Sequence, residues 1–303
     1  MKDSAIRNNL IRSLPEEERQ LILPLLEQLP LPYGMVVKDV NTPADHVYFP
    51  DSAIISSVAV MADGSAVETS TIGRDGMAPI ALFHGVDITP EHLFVQVPGD
   101  GHRIRVEDFQ RVIGRMPVLA EKLRRFTAAV FTLLSQNSGC NRKHTMVQRC
   151  ARWLLLTRDM LGRDRFAMTH LVLSQMLGVR RASVTEAALA LQQAGAIEYS
   201  RGTINVLDRD ALESQSCECY RIVRAAYERL LHDRTEPDPL AELRLSAAGI
   251  STAGDGAPRD GLGQLEWLPR TESATATTED ALAGNEGSQS PSPSNRSISS
   301  RTT

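Results

Sequence analysis

Within seven residues, Arg180 to Glu186, the chain places Arg180, Arg181, Ser183, Thr185 and Glu186. An arginine can give two parallel hydrogen bonds to guanine, a glutamate can accept from cytosine N4, and serine or threonine can serve either kind of edge. Val184, Ala188 and Leu191 recur at i, i+4 and i+7. On a helix this repeat is the buried side, which leaves the five polar groups on the outer face near the N-terminus. A helix is narrow enough for the major groove of DNA. The small residues Ala182 and Ala187 beside them permit close approach. The competing reading is an ordinary helical hairpin with a solvated arginine pair.

The flanking residues supply what must position such a helix. Thr169 can N-cap a preceding short helix whose Leu173, Met176 and Leu177 face inward, and Gly178 lets the chain leave it sharply. Gly195 stops the second helix. Ile197-Glu198-Tyr199 and Ile204-Asn205-Val206 then alternate as two strands around Ser200-Arg201-Gly202-Thr203. This predicts a hairpin, or wing, beside a helix-turn-helix. Gly202 supplies a positive φ, and Ser200 and Arg201 at the tip are placed to touch phosphate.

The order of helix, Gly178 turn, arginine-led second helix, Gly195 stop and wing resembles the C-terminal domain of the Crp–Fnr family of bacterial transcription regulators. In that family an Arg, a Glu and a later Arg of the second helix commonly read bases. Counted from Gly178, the first Arg falls on Arg181, the Glu position is Ala182 and the later Arg position is Glu186. One of the three remains. The resemblance implies binding to double-stranded DNA and the docking geometry, but not the family's usual operator.

The whole chain has 303 residues, 42% of them hydrophobic and 23% charged, which is ordinary for a soluble globular protein of about two domains. No apolar run approaches the ~18 residues of a membrane span, and the N-terminus has no signal-peptide core, so a cytoplasmic protein without membrane contact is expected. The net charge of −4 hides a division: residues 1–140 carry 13 Lys+Arg and 17 Asp+Glu, residues 141–234 carry 15 and 10, and residues 235–303 carry 5 and 10. Positive charge thus concentrates around the reader, as contact with phosphates requires. Cys140, Cys150, Cys217 and Cys219 are too scattered for a disulfide framework.

Towards the N-terminus, Ser13-Leu14-Pro15-Glu16 reads as the capped start of a helix with Leu21, Ile22, Leu25 and Leu26 on its apolar face, ended by Pro30, Pro32 and Gly34. From Met35 to Arg105 the texture is β-rich: 35–37, 46–49, 54–60, 66–72 and 94–97, separated by Gly, Asp, Asn and Pro. Tyr48-Phe49-Pro50 and Ile54–Val58 resemble the early strands of the family's cyclic-nucleotide-binding-type sensor, a β-roll. That sensor holds its nucleotide through a Gly-Glu-Leu-Gly-type turn and a downstream Arg. Here Gly76-Met77-Ala78-Pro79 puts Pro79 in place of the Glu, and Thr89-Pro90-Glu91-His92 offers no Arg. Usual cyclic nucleotide binding is not expected, and the effector is unknown. His84, His92 and His102 match no metal-ligand spacing, and the sensor region has no cysteine for an iron–sulfur cluster. Neither metal nor cofactor is predicted, and Cys217 and Cys219 read as helical surface or core.

A helix start at Val106-Glu107-Asp108 is interrupted by Gly114 and Pro117, after which Met116, Leu119, Leu123, Phe126, Val130, Leu133 and Asn137 step by three and four. This heptad seam is either a helix packed on its own roll or one paired with its twin; the resemblance favours the pair. Leu119, Leu123, Phe126, Val130 and Leu133 would then carry dimerisation, and a homodimer would meet an inverted-repeat operator. Asn141-Arg142-Lys143-His144 reads as a polar hinge. Thr145 to Met160 reads as an amphipathic helix with Arg149 and Arg152 outside, and Asp210 to Leu231 as a further helix. From Thr235 onward the composition is that of a disordered tail, with Trp267 its one large residue.

The expected architecture is therefore α+β: a helix and β-roll sensor (1–106), a dimerisation helix (107–140), a winged helix-turn-helix (141–234) and a low-complexity tail (235–303). No phosphate-loop, G-x-S-x-G or H-E-x-x-H motif points to an enzyme. The rival is a ligand-sensing module acting through protein partners. RNA polymerase is a further candidate partner.

Overall fold

The computed structural model describes residues 6–231. The tail from Thr235, with Trp267, lies outside them. Asn8 caps a short helix α1 (Asn9–Arg12), and its side-chain amide donates to the carbonyls of Pro50 and Gly76 at 3.0 and 2.9 Å, which fastens this end onto the roll. Helix α2 (Glu16–Ile22) starts behind Pro15 without a side-chain cap, and a 3-10 turn at Leu23–Leu25 ends it. Here the sequence reading needs correction. Ser13 closes α1 instead of opening α2, and residues expected to finish the helix form strand β1 (Glu27–Leu31). Pro30 is tolerated there because β1 is an edge strand.

The roll is two antiparallel sheets. Strands β2 (Val36–Lys38), β3 (His46–Pro50), β4 (Ile54–Val60), β5 (Ala66–Ile72), β6 (His92–Val97) and β7 (Gly99–Arg105) join β1 in the orders β1-β7-β3 and β2-β6-β4-β5. β7 was not expected, because Gly99-Asp100-Gly101 reads as a turn. Its glycines instead permit close packing: a Cβ on Gly99 would stand 2.5 Å from the Ser52 carbonyl carbon, and one on Gly101 would stand 2.7 Å from Leu31 Cδ1.

Helix α3 (Val106–Ile113) leads into the long helix α4 (Pro117–Lys143). The apolar stripe of α4 is fully used within one chain. Leu119, Leu123, Phe126, Val130 and Leu133 are all buried, none more than 8% exposed. Leu119 and Leu123 pack with Phe49, Met77 and Ile104, and Phe126 and Val130 pack with Ile55, Ile72 and Val95. The first four of these side chains are thus covered within one chain, by the β-roll together with Leu10, Ile22 and Phe109 of α1 to α3 and with Tyr227 and Leu231 near the end of the described residues, so the heptad spacing marks a buried face.

Helix α5 (Met146–Leu161) follows after His144 and Thr145 alone, so the hinge is shorter than the polar run 141–144, whose first three residues finish α4. Thr145 and Gln148 cap α5 reciprocally. Beyond it come strand β8 (Arg165–Ala167), helices α6 (His170–Met176) and α7 (Arg181–Gln193), and strands β9 (Ile197–Ser200) and β10 (Thr203–Val206) in a β8-β10-β9 sheet. The last expected helix is two, α8 (Arg209–Ser214) and α9 (Glu218–Leu231), broken at 215–217. Ile54, Val58 and Val97 of the roll share one core with Trp153, Leu154, Met176 and Leu177. No helix among the described residues is long and apolar enough to cross a membrane.

The N-terminus of α4 depends on a distant carboxylate. Met116 gives no side-chain cap, and the buried Glu18 accepts instead from the N–H groups of Val118 and Leu119 at 2.7 and 2.9 Å. A negative charge is favoured at this end of a helix dipole. Glu18→Ala should strand both donors and lower stability by about 1–3 kcal/mol in denaturant unfolding, without changing the fold seen by circular dichroism.

Candidate nucleic-acid interface

Thr169 caps α6 as its sequence position suggests, its hydroxyl accepting from the Val172 N–H at 3.2 Å. Leu173, Met176 and Leu177 face inward, and Gly178 turns the chain at φ +62°. A Cβ on Gly178 would come within 3.2 Å of Val67 on β5, so this glycine also allows the turn to lie against the roll.

Helix α7 buries Val184, Ala188 and Leu191. Ala187 is buried with them, contrary to its expected place on the outer face, while Ala182 is exposed. At the start of α7, Arg180 occupies the cap position without a capping hydrogen bond, and the first turn has no acidic residue. Two arginines at the positive end of a helix dipole work against helix stability and in favour of an anionic partner. Arg180, Arg181 and Glu186 are exposed, and the structure gives none of them a side-chain partner among the described residues; Ser183 is half-buried.

Thr185 is differently placed. Its hydroxyl donates to the Arg181 carbonyl at 3.1 Å and lies 3.0 Å from His170 Nδ1. The His170 ring stacks on Tyr199, centroids 4.0 Å apart, and the Tyr199 N–H donates to Gln192 at 3.0 Å. These contacts join α6, α7 and the wing. Burial, with Arg181 adding, lowers the pKa of His170 and favours its neutral form. Sequence reasoning passed over His170, and its only signal was adjacency to the cap. At the wing tip Ser200 is exposed, as is Arg201, which shares the positive φ of Gly202 (+49° and +76°); the pair forms the two-residue hairpin turn.

Behind the reader, one buried carboxylate ties it to the roll. Glu68 of β5 accepts from Trp153 Nε1 of α5 at 2.7 Å, from Ser56 at 2.7 Å and from Gln96 at 3.2 Å. Beside it Asn137 of α4 donates to the Thr69 carbonyl at 2.8 Å and accepts from Arg152 at 2.5 Å. Arg152 is thus buried, not on the outer side of α5 as its sequence phase suggests. The three histidines of the roll region each have a separate partner: His84 meets Thr127, His92 meets Asp39, and the buried His102 meets Asp51.

Two antiparallel sheets of three and four strands, a long helix and a winged helix-turn-helix are thus joined in one chain. Residues 148–215 match the Crp-like helix-turn-helix domain. In fold the chain is similar to FixK2 from Bradyrhizobium japonicum (TM-score 0.53, 16% identity, 63% of this chain and 98% of that one). It is also similar to the c-di-GMP responsive global regulator CLP of Xanthomonas campestris (0.52, 14%, 63% and 99%) and to a crp/fnr-family structure from Eubacterium rectale (0.52, 18%, 68% and 96%). No curated protein matches the sequence. The chain has the fold of the Crp–Fnr transcription regulators, with a cyclic nucleotide-binding-like roll and a Crp-like helix-turn-helix domain.

Burial pushes the Glu68 carboxyl up to about 7 against the pull of its hydrogen bonds. The folded chain therefore keeps a proton that the unfolded chain has lost above about 4.5. Unfolding releases that proton, so this group's contribution to stability should fall as pH rises from about 4.5 to about 7. Glu68→Gln should remove that part of the pH dependence of the unfolding midpoint; an unchanged profile would show that Glu68 is ionised when folded.

Proposed function

We propose that the chain is a sequence-selective DNA-binding transcription regulator that acts as a homodimer on an inverted repeat, in the cytoplasm, without usual cyclic nucleotide binding. The observation that carries this reading is the start of α7, where Arg180 and Arg181 stand exposed and unpaired at an uncapped helix N-terminus within a Crp-like helix-turn-helix domain. Arg180, Arg181, Ser183 and Glu186 would meet base edges, Thr185 would hold Arg181's turn in place, and Ser200 and Arg201 would meet phosphate.

The dimer face is the other side of α4. Glu121, Arg124, Ala128, Phe131, Ser135 and Ser138 step by three and four and are exposed, Phe131 by 65%. A bare phenylalanine among small residues suits close helix pairing. For the effector, the supporting facts are that Phe126 and Val130 enter the roll's apolar core, that Phe126 touches the site of a Gly76 Cβ at 2.3 Å, and that Pro79 replaces an acidic ligand.

Selection of bound DNA from a random pool by the ligand-free protein should enrich an inverted repeat with half-site centres about 10–11 base pairs apart. Arg181→Ala should weaken specific binding by about 1–3 kcal/mol and relax one base position, whereas Arg201→Ala should lower the salt slope by about 1. Affinity that is low and indifferent to sequence would favour the protein-partner reading instead. Phe131→Glu should convert the dimer to a folded monomer in sedimentation velocity; a persistent dimer would place the interface elsewhere.

A further inference from the structure

Two pairs of donor groups, distant from each other in sequence, meet where α4 ends and α9 begins. Cys140 lies in the last turns of α4, His144 follows its end, Cys217 precedes α9 and Cys219 lies in its first turn. Their ligand atoms all lie within 4.8 Å of one another. Cys140 Sγ stands 3.5 Å from Cys217 Sγ, and Cys219 Sγ stands 3.6 Å from His144 Nδ1. Zinc bonds of about 2.3 Å to sulfur and about 2.0 Å to nitrogen give a tetrahedron with edges of about 3.8 Å between sulfurs and about 3.5 Å from sulfur to nitrogen. The sulfur–sulfur contact of 3.5 Å and the sulfur–nitrogen contact of 3.6 Å are close to those edges.

The surroundings suit such a shell. The three cysteines are 0–4% exposed, and they form a small cluster of their own with no large apolar side chain. His144 Nε2 lies 3.1 Å from the Glu218 carboxylate. A carboxylate on the far nitrogen of a metal-bound histidine fixes the ring and the tautomer, here leaving the Nδ1 lone pair directed at the cysteines. All four cysteines of the chain are free.

We propose that Cys140, His144, Cys217 and Cys219 form a closed Cys3His site for a single zinc-type divalent ion. Four protein ligands leave no open position, so the role is structural. An iron–sulfur cluster spreads its thiolates over two or more irons and needs donors farther apart than these. The ion would join the C-terminal end of α4 to the α8–α9 segment beyond the wing. It would thereby bridge the two-residue hinge that connects α4 to the reader. The site stands on its own geometry, whether or not the protein binds DNA.

The full chain, purified under reducing conditions, should retain about one zinc per chain by elemental analysis. Replacement by cobalt should give the intense visible bands of tetrahedral coordination together with thiolate-to-cobalt charge transfer. Cys140→Ser and Cys219→Ser should abolish or strongly reduce both bands. Glu218→Gln keeps all four ligands, so it should preserve the bands and weaken zinc affinity by about 10-fold or more in a chelator competition. Arg181→Ala should leave metal binding unchanged. A reduced, folded protein that holds no zinc and gives no cobalt bands overturns the proposal. So does iron with inorganic sulfide, or a Cys140–Cys217 disulfide whose reduction yields no metal binding.

Discussion

The long helix α4 has one apolar stripe, and the β-roll, the N-terminal helices and α9 bury it between them. Because Leu119 to Leu133 are buried within the chain, three things follow. The roll interior is filled by Phe126 and Val130. The helix is held at both ends, to α2 by Glu18 at one and to β5 by the Asn137 contact with Thr69 at the other. Among the described residues of α4, the opposite stripe carries the exposed Phe131. A large side chain such as Phe126 cannot leave such a core cheaply, since truncating one typically costs about 3–5 kcal/mol. The roll and α4 are in this sense a single packed element, and the reader is attached to it through Glu68, Trp153 and Arg152.

Much of the reader was legible because its signals are local. Thr169, Gly178, Gly195 and Gly202 punctuate the chain at the places where the structure caps, turns and stops. Strands β4 and β5 fall on the expected residues for the same reason: short runs rich in β-branched residues and flanked by turn residues. β1 and β7 were hidden because Pro30 and the Gly99–Gly101 stretch look like breaks, and only tertiary packing reveals an edge position in one case and a close sheet contact in the other. The heptad in α4 was visible, but a periodic stripe records that a face is buried and not which surface buries it. The Cys140 cluster was invisible for a simpler reason: its two halves, Cys140 with His144 and Cys217 with Cys219, are far apart in sequence, Cys140 and Cys217 by 77 residues.

Arg180 and Arg181 illustrate a local rule broken without structural compensation. An uncapped helix start carrying two like charges is less stable than one with Asp or Ser, and nothing within the described residues repairs it. Sites where propensity and structure disagree are often sites of function. The wing makes a similar concession, since Arg201 takes a positive φ that a glycine or asparagine would adopt with less strain.

Helices α4 and α5 are joined by His144 and Thr145 alone, and α5 starts with a closed capping box. A joint this short between two rigid rods has almost no slack in length, so any relative movement must be a rotation. A turn of 10° about such a pivot carries a group ~20 Å away by ~3.5 Å, about the rise of one base step. The phase of a reader relative to its operator would then be set as an angle at two residues.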